Sequence, residues 1–111
     1  MGYKMYNIQF TEKAIKDMEE IKNYIEIELC NEQAATNVLK NIVDKIKRLS
    51  SFPLMGASLS SIISINTDSR YLVCGNYLAF YRIVDTNIYI DRILYGQRNY
   101  MQALFGEPKD N

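Results

Sequence analysis

The fold of this chain is decided by residues 70–100, RYLVCGNYLAFYRIVDTNIYIDRILYGQRNY. Apolar, β-branched and aromatic residues follow one another with few interruptions, as they do in half-buried strands. Two short segments break the run, Gly75-Asn76 and Asp85-Thr86-Asn87, and they contain residues that tolerate the positive φ of tight hairpins. The pattern therefore predicts a three-stranded antiparallel meander with strands at about 70–74, 77–84 and 88–95.

The residues before the meander predict one short strand and two helices. Alternation in YNIQF, residues 6–10, indicates the strand. Thr11 is a candidate N-cap for a first helix to about Leu29, because apolar residues recur there at helical spacing. Asn31 is the candidate cap of a second helix that runs to about Leu49. Since only one or two residues separate the helices, we expect an antiparallel hairpin.

The remaining segments are less regular. Residues 54–69 are rich in Ser, and they predict a loop with a weak strand near 62–65. After the meander, Asn99 can cap a short helix over 100–105. The predicted fold is α+β: an antiparallel sheet with an N-terminal strand, a helical hairpin packed on one face, the C-terminal meander and a short C-terminal helix. We expect residues 1–111 to form one domain.

Composition excludes several classes of function. The chain has no histidine and two cysteines, so His-based catalysis and the usual zinc sites are not expected. It also has no glycine-rich nucleotide-binding motif, and we expect no cofactor. Lys and Arg total 13, as do Asp and Glu, so net charge predicts no strong attraction to nucleic acid. Without an apolar signal core or an 18-residue apolar run, we expect a cytoplasmic protein with free, buried thiols and no membrane partner.

The meander also suggests where its arginines lie. If Gly75-Asn76 is a two-residue turn, Arg70 lies opposite Tyr81 and shares its face. If Thr86-Asn87 is also a two-residue turn, Tyr81 lies opposite Arg92. Arg70, Tyr81 and Arg92 would then form one row across the three strands. A three-residue turn at 85–87 would break that row. We expect the face that carries Arg70 to be open rather than covered by the helices.

The same register predicts the positions of two further arginines. It places Arg82 on the other face, opposite Asp91, as a structural ion pair. Arg98 would reach the Arg70 face from the end of the third strand.

Nearly the whole chain resembles the RelE/ParE superfamily of bacterial type II toxin–antitoxin toxins. The resemblance is carried by the strand-to-helix start YNIQFTEKA, the helical hairpin, the SFPLMG turn and, above all, residues 70–105. That last segment has the superfamily's order of Arg, an apolar strand, Tyr-Arg, a turn, a second apolar strand, a Gly-Arg pair and a terminal Leu-Phe. It implies a small α+β toxin that is held inactive by a cognate antitoxin.

The resemblance implies two different targets, because fold alone does not fix function. RelE-like members cleave messenger RNA on the ribosome, and this metal-independent endoribonuclease activity is the function we expect. ParE-like members instead poison DNA gyrase and lack the nuclease residues. A non-toxic antitoxin-binding module is the third alternative. Three departures from RelE weaken ribosome binding: the absent histidine, the neutral charge and the absence of Lys and Arg in residues 54–69.

The candidate site residues follow from matching this sequence to the superfamily. Arg70 and Arg98 match its phosphate-binding arginines, and a solvated or salt-bridged arginine is the structural alternative. Tyr95 occupies the place of a common histidine, although hydrophobic packing is the favoured alternative, and Tyr100 could stack on a base or donate a proton. The catalytic candidates are Arg70, Arg98, Tyr95 and Tyr100. The RNA-binding candidates are Arg92, Tyr81 and Arg82.

Overall fold

The computed structural model describes residues 5–61 and 67–96. Two helices and five strands form an α+β fold, and one turn of π-helix follows the first helix. The elements, in chain order, are β1 (Asn7–Phe10), α1 (Glu12–Asn23), the π-helical turn (Tyr24–Glu28), α2 (Glu32–Lys47), β2 (Ala57–Ser58), β3 (Arg70–Cys74), β4 (Tyr77–Val84) and β5 (Asn87–Tyr95). Short 3₁₀ turns lie at Arg48–Ser50 and Leu59–Ser61. The predicted strand near 62–65 and the predicted helix over 100–105 lie outside the described residues.

The five strands form one sheet in the order β1-β5-β4-β3-β2. The meander β3-β4-β5 is antiparallel, as predicted, and its first two strands have the predicted bounds. β2 adds an antiparallel edge next to β3, whereas β1 runs parallel to β5. The sheet is therefore mostly antiparallel. β1 is the parallel strand at its edge, and α1 follows β1 directly in the chain.

Both helices begin where their caps predict. The Thr11 hydroxyl accepts a hydrogen bond from the Ala14 amide at 3.1 Å, and the Asn31 side chain accepts one from the Ala34 amide at 3.0 Å. Each cap satisfies a backbone donor that the first turn of a helix leaves unpaired. Cys30 takes a positive φ of 49° between the helices, which turns the chain sharply enough for the hairpin.

The helical hairpin covers one face of the sheet and buries the main core there. α1 packs over β5 and α2 packs over β3. The core contains Ile25 and Ile42 from the hairpin and Leu72, Tyr81 and Ile90 from the sheet. A smaller cluster of Leu59, Phe80 and Leu94 lies on the other face. The predicted arrangement of a hairpin on one face of the sheet is confirmed.

The register of β4 and β5 corrects the predicted row of arginines. Arg70 does lie opposite Tyr81, but Tyr81 pairs with Ile90, and Arg92 pairs with Phe80. Two features cause the difference: the two-residue turn is Asp85-Thr86 rather than Thr86-Asn87, and a register shift lies between Phe80 and Tyr81. Asp85 adopts a φ of 55° in that turn. The earlier turn moves the partner of Tyr81 by two residues, from Arg92 to Ile90, so the predicted row was wrong.

No helix in the described part of the chain is both long enough and apolar enough to cross a membrane.

Candidate functional site

Arg70 begins β3 and turns its guanidinium group toward the segment that follows α2. Its Nη2 donates hydrogen bonds to the carbonyl oxygens of Gly56 at 2.6 Å and Leu54 at 3.3 Å. Its Nε is buried and has no hydrogen-bond partner among the described residues. The predicted open face is a further correction, because Leu72, two residues along the same strand and on the same face, lies in the core beneath the helices.

Tyr81 lies beside Arg70 and is directed at the same segment. The ring is fully buried, with 0% of the residue exposed, and its hydroxyl donates to the Pro53 carbonyl at 2.8 Å. The same hydroxyl accepts a hydrogen bond from the Gly56 amide at 3.1 Å. A buried tyrosine hydroxyl needs such partners, and here both of them are backbone groups of one loop. In this position Tyr81 has no exposed ring face on which an RNA base could stack.

We define residues 52–56, Phe52-Pro53-Leu54-Met55-Gly56, as the 52–56 loop. Gly56 sits where a side chain has no room: an added Cβ would lie 2.4 Å from the carbonyl oxygen of Tyr71 and 2.7 Å from the Tyr81 hydroxyl. The close approach of Gly56 to β3 and Tyr81 therefore requires a glycine. Arg70, Tyr81 and Gly56 together fasten the loop to the sheet.

Arg82 is held by a carboxylate on the neighbouring strand. Its Nε and Nη2 donate to the two carboxylate oxygens of Asp91 at 2.6 and 3.0 Å, and its guanidinium carbon lies 5.4 Å from the centre of the Tyr89 ring. The predicted ion pair is confirmed, although Arg82 is paired in the sheet with Tyr89 and not with Asp91. The hydrogen bond to Asp91 raises the pKa of Arg82 above its usual value.

Arg92 forms the more buried of the two arginine–carboxylate pairs. Its Nε and Nη2 donate to Asp17 of α1 at 2.8 and 2.9 Å, and the backbone amide of Ile93 donates to the same carboxylate at 2.9 Å. The Asp17 side chain is only 6% exposed. The hydrogen bond to Asp17 raises the pKa of Arg92. Through these contacts Asp17 joins α1 to β5.

Tyr95 ends β5 and is 46% exposed, so it is not the buried packing residue favoured from the sequence. Its ring meets that of Tyr77 edge to face, with ring centres 5.8 Å apart. Arg98 and Tyr100 lie outside the described residues. The structure therefore brings Arg70 and Tyr81 together and places Arg82 and Arg92 in separate ion pairs.

A groove of about 600 Å³ opens beside Tyr95, and we name it the hairpin groove. It lies between the helical hairpin and the ends of β4 and β5. Its lining is mainly apolar and aromatic, with Asp17 and Glu20 on the α1 side. Its other lining residues include Ile21, Tyr24, Ile25, Leu29, Ala34, Val38, Asn76, Tyr77, Ile93, Leu94 and Tyr95. Three of the nine tyrosines in the sequence line the groove, but the packing of distant elements is what brings them together.

Comparison with known proteins identifies the class to which this fold belongs. The sequence model of the ParE toxin of the type II toxin–antitoxin system parDE matches residues 8–100. Together with the α+β architecture, this match defines the chain as a toxin of the RelE/ParE superfamily. Within that class, the chain belongs to the ParE toxin family of type II toxin–antitoxin systems.

Two solved structures illustrate the likeness. A chain of the chromosomal ParDE toxin–antitoxin system of P. aeruginosa is 25% identical, with a TM-score of 0.69, over 82% of this chain and 96% of that one. A chain of the RelBE2 toxin–antitoxin complex of Mycobacterium tuberculosis is 23% identical, with a TM-score of 0.61, over 82% and 98% of the two chains. The second likeness concerns the fold alone. Among curated proteins there is no match.

Proposed function

We propose that this toxin acts by binding and inhibiting DNA gyrase rather than by cleaving messenger RNA. The observation that carries the proposal is the state of the three described arginines that could have formed an RNA site. Arg70 donates to loop carbonyls, Arg82 is paired with Asp91, and Arg92 is paired with Asp17. A ribosome-dependent nuclease needs cations that face the RNA phosphates, whereas a binding toxin does not.

The match to the ParE toxin family favours the same target, because the ParE-like branch is the one linked with gyrase by the sequence resemblance. The balanced charge of the chain supports it further. Strong non-specific binding to ribosomal RNA relies on an excess of lysine and arginine over acidic residues, and this chain has no such excess.

RelE-like messenger RNA cleavage is the second candidate, and the exposure of Tyr95 favours it. That ring stands at the C-terminal end of β5, where many RelE-like members carry histidine, and it is 46% exposed. Arg98 and Tyr100 follow it in the sequence and would have to supply the phosphate contact and the proton donor.

The partner that we propose for the hairpin groove is the cognate antitoxin. The two similar structures come from toxin–antitoxin systems, and the groove offers exposed apolar rings at Tyr24 and Tyr95. A disordered antitoxin segment that folds on binding could bury these rings and satisfy the groove's polar rim. Such coupled folding would account for inactivation without any covalent change.

Parallel assays of the purified toxin test the proposed function. The full chain is released from its antitoxin and added both to a gyrase supercoiling reaction and to a ribosome-dependent messenger RNA cleavage reaction. We expect supercoiling to be inhibited and messenger RNA to stay intact, with inhibition reversed by added antitoxin. Messenger RNA cleavage that disappears in Arg98→Ala, with supercoiling unaffected, would establish the RelE-like function instead.

A further inference from the structure

The 52–56 loop is more firmly fixed than a surface connection needs to be. Four hydrogen bonds with the side chains of Arg70 and Tyr81 hold the backbone groups of Pro53, Leu54 and Gly56. Within the same segment, the Met55 amide also donates to the Phe52 carbonyl at 3.0 Å. A loop whose backbone is held in this way loses little conformational entropy when it binds another molecule.

The side chains of this fixed loop point away from the protein. Phe52 is 64% exposed, Leu54 is 68% exposed and Met55 is 38% exposed. These three large apolar side chains therefore add little to the core, yet buried groups of the sheet are used to hold them in place. Rigid apolar side chains of this kind are typical anchors of protein interfaces, and contiguous exposed apolar residues commonly mark a binding surface.

The charges next to the loop indicate what kind of partner it fits. Lys47 and Arg48 lie exposed at the end of α2, a few residues before Phe52. An apolar projection with cations beside it complements a protein surface that has an apolar pocket edged by carboxylates.

The loop and the hairpin groove lie at opposite ends of β3. The loop is attached at Arg70, the first residue of that strand, while the groove is lined by Asn76 and Tyr77, just beyond its last residue. Five residues of strand span about 13 Å from first to last Cα. A segment bound in the groove and a partner bound at the loop would thus contact separate surfaces.

We propose that the 52–56 loop is the surface with which this toxin binds its target protein, and that Arg70 and Tyr81 are positioning residues for it. This proposal rests on the proposed function, because it takes the toxin to act by binding a protein. It gives the loop and the groove different partners: the target at the loop and the antitoxin at the groove. Arg70 would then contribute to toxicity without touching RNA.

Serine substitutions on the loop test the proposal. Phe52→Ser, Leu54→Ser and the double variant are made in the full chain, with Val73→Ser as the matched control, since Val73 is 50% exposed on β3. We expect affinity for gyrase to fall at least about tenfold in the double variant, as for other interface anchors, with antitoxin affinity unchanged. Val73→Ser should match the parent protein in its affinity for gyrase and in its affinity for the antitoxin. Unchanged gyrase affinity in the double variant would overturn the proposal.

The positioning role of Arg70 has its own readout. Arg70→Gln removes the cation that holds the Leu54 and Gly56 carbonyls, and we expect weaker gyrase binding with antitoxin affinity retained. Arg70→Lys, which restores one charged donor, should recover part of the gyrase binding. A general loss of folding would weaken both interactions together. If Arg70→Gln does not fold, the loop variants decide the question.

Growth arrest separates a failure of this proposal from a failure of the proposed function. If the parent protein does not bind gyrase but still arrests growth, gyrase is the wrong target. In that case the loop is the target surface only if the double variant relieves growth arrest and Val73→Ser does not. A parent chain that neither binds gyrase nor arrests growth contradicts both proposals. If the double variant keeps its affinity for gyrase but loses affinity for free DNA, the loop contacts nucleic acid rather than the target protein, and the proposal is overturned.

Discussion

Tyr81 links the buried sheet to a loop that is distant in sequence. Its hydroxyl donates a hydrogen bond to the Pro53 carbonyl and accepts one from the Gly56 amide, so it satisfies two backbone groups. Arg70 does the same for two neighbouring carbonyls. Arg70 and Tyr81 were candidates for RNA contacts, and their hydrogen bonds to the 52–56 loop give both of them a structural role.

The first prediction at the residue scale concerns the Tyr81 hydroxyl. Tyr81→Phe keeps the ring but leaves the Gly56 amide without its acceptor, and an unsatisfied backbone group of this kind costs about 1–3 kcal/mol. We expect the free energy of unfolding in urea to fall by that amount. Tyr71→Phe, on the neighbouring strand and only half-buried, is the control and should change stability little. Equal stabilities of the two variants would contradict the assigned role of the hydroxyl.

The two cysteines give a second prediction at this scale. The buried position expected for both thiols is confirmed for Cys74 but wrong for Cys30, which is exposed. Burial raises the pKa of the Cys74 thiol to about 11. The thiolate is the reactive form, so at pH 8 Cys30 should react with a thiol reagent and Cys74 should not. Because the raised pKa favours the protonated folded state, its contribution to stability is present below the ordinary thiol pKa near 9 and is lost as the pH rises toward 11. Mass spectrometry after labelling identifies the modified residue, and labelling of both thiols in the native protein would contradict the buried position.

At the scale of elements, the helical hairpin and the sheet are joined both by packing and by charge. Ile25 and Ile42 fill the layer between them, and Asp17 of α1 accepts hydrogen bonds from Arg92 and Ile93 of β5. A buried ion pair with these hydrogen bonds satisfied fixes the helix against one strand position. The register shift that separates the Tyr81–Ile90 and Phe80–Arg92 pairs lies next to this contact.

The prediction at this scale compares two neighbouring positions of the π-helical turn. Ile25 is 4% exposed and Ile27 is 69% exposed. Ile25→Asp places an unpaired charge in the apolar layer and should reduce the free energy of unfolding by more than about 3 kcal/mol or prevent folding. Ile27→Asp should leave the unfolding curve almost unchanged. Similar curves for both variants would show that the hairpin does not pack as described.

At the scale of the whole molecule, two apolar surfaces of the described residues lie apart from each other on a chain of balanced charge. The hairpin groove lies at one end of β3 and the 52–56 loop lies at the other. Under the two proposals, an inhibitor and a target are recognised by different residues of one chain. Neutralisation by the antitoxin would in that case depend on size, shape or a conformational change and not on direct contact with the loop.

The prediction at this scale concerns stabilisation by the antitoxin. A partner that binds only the folded toxin stabilises it by about 2.7 kcal/mol when its concentration is 100 times Kd. We expect the midpoint of thermal unfolding to rise with antitoxin concentration, and the rise to shrink in Tyr77→Ser, which removes an aromatic wall of the groove. In the Phe52→Ser variant the rise should match that of the parent protein. If the rise in the thermal midpoint is lost in Phe52→Ser and kept in Tyr77→Ser, the antitoxin binds at the 52–56 loop and the partners assigned to the two surfaces are wrong.

Local signals in the sequence predicted β1, the starts of both helices and the three strands of the meander, but they predicted neither β2 nor the π-helical turn at Tyr24–Glu28. The caps at Thr11 and Asn31, the apolar stripes of the helices and the turn at Gly75-Asn76 are local signals, and local sterics and hydrogen bonding decide them. The same signals, taken in order, carried the resemblance to the RelE/ParE superfamily. The ion pair of Arg82 with Asp91 was also predicted, although the register behind that prediction was wrong, since Arg82 pairs in the sheet with Tyr89.

The face and the partner of Arg70 and of Arg92 depended on the packing of elements that are distant in sequence. A turn placed one residue earlier gave Tyr81 the partner Ile90, and the register shift between Phe80 and Tyr81 placed Arg92 opposite Phe80. Neither feature has a strong local signal. Arg70 meets the 52–56 loop, and Arg92 meets Asp17, across 14 and 75 residues of sequence respectively. Such contacts depend on how distant apolar faces pack, since a shift of one residue in a strand exchanges its buried and exposed sides. For that reason the sequence indicated the toxin family, while the roles of its arginines came from the folded molecule.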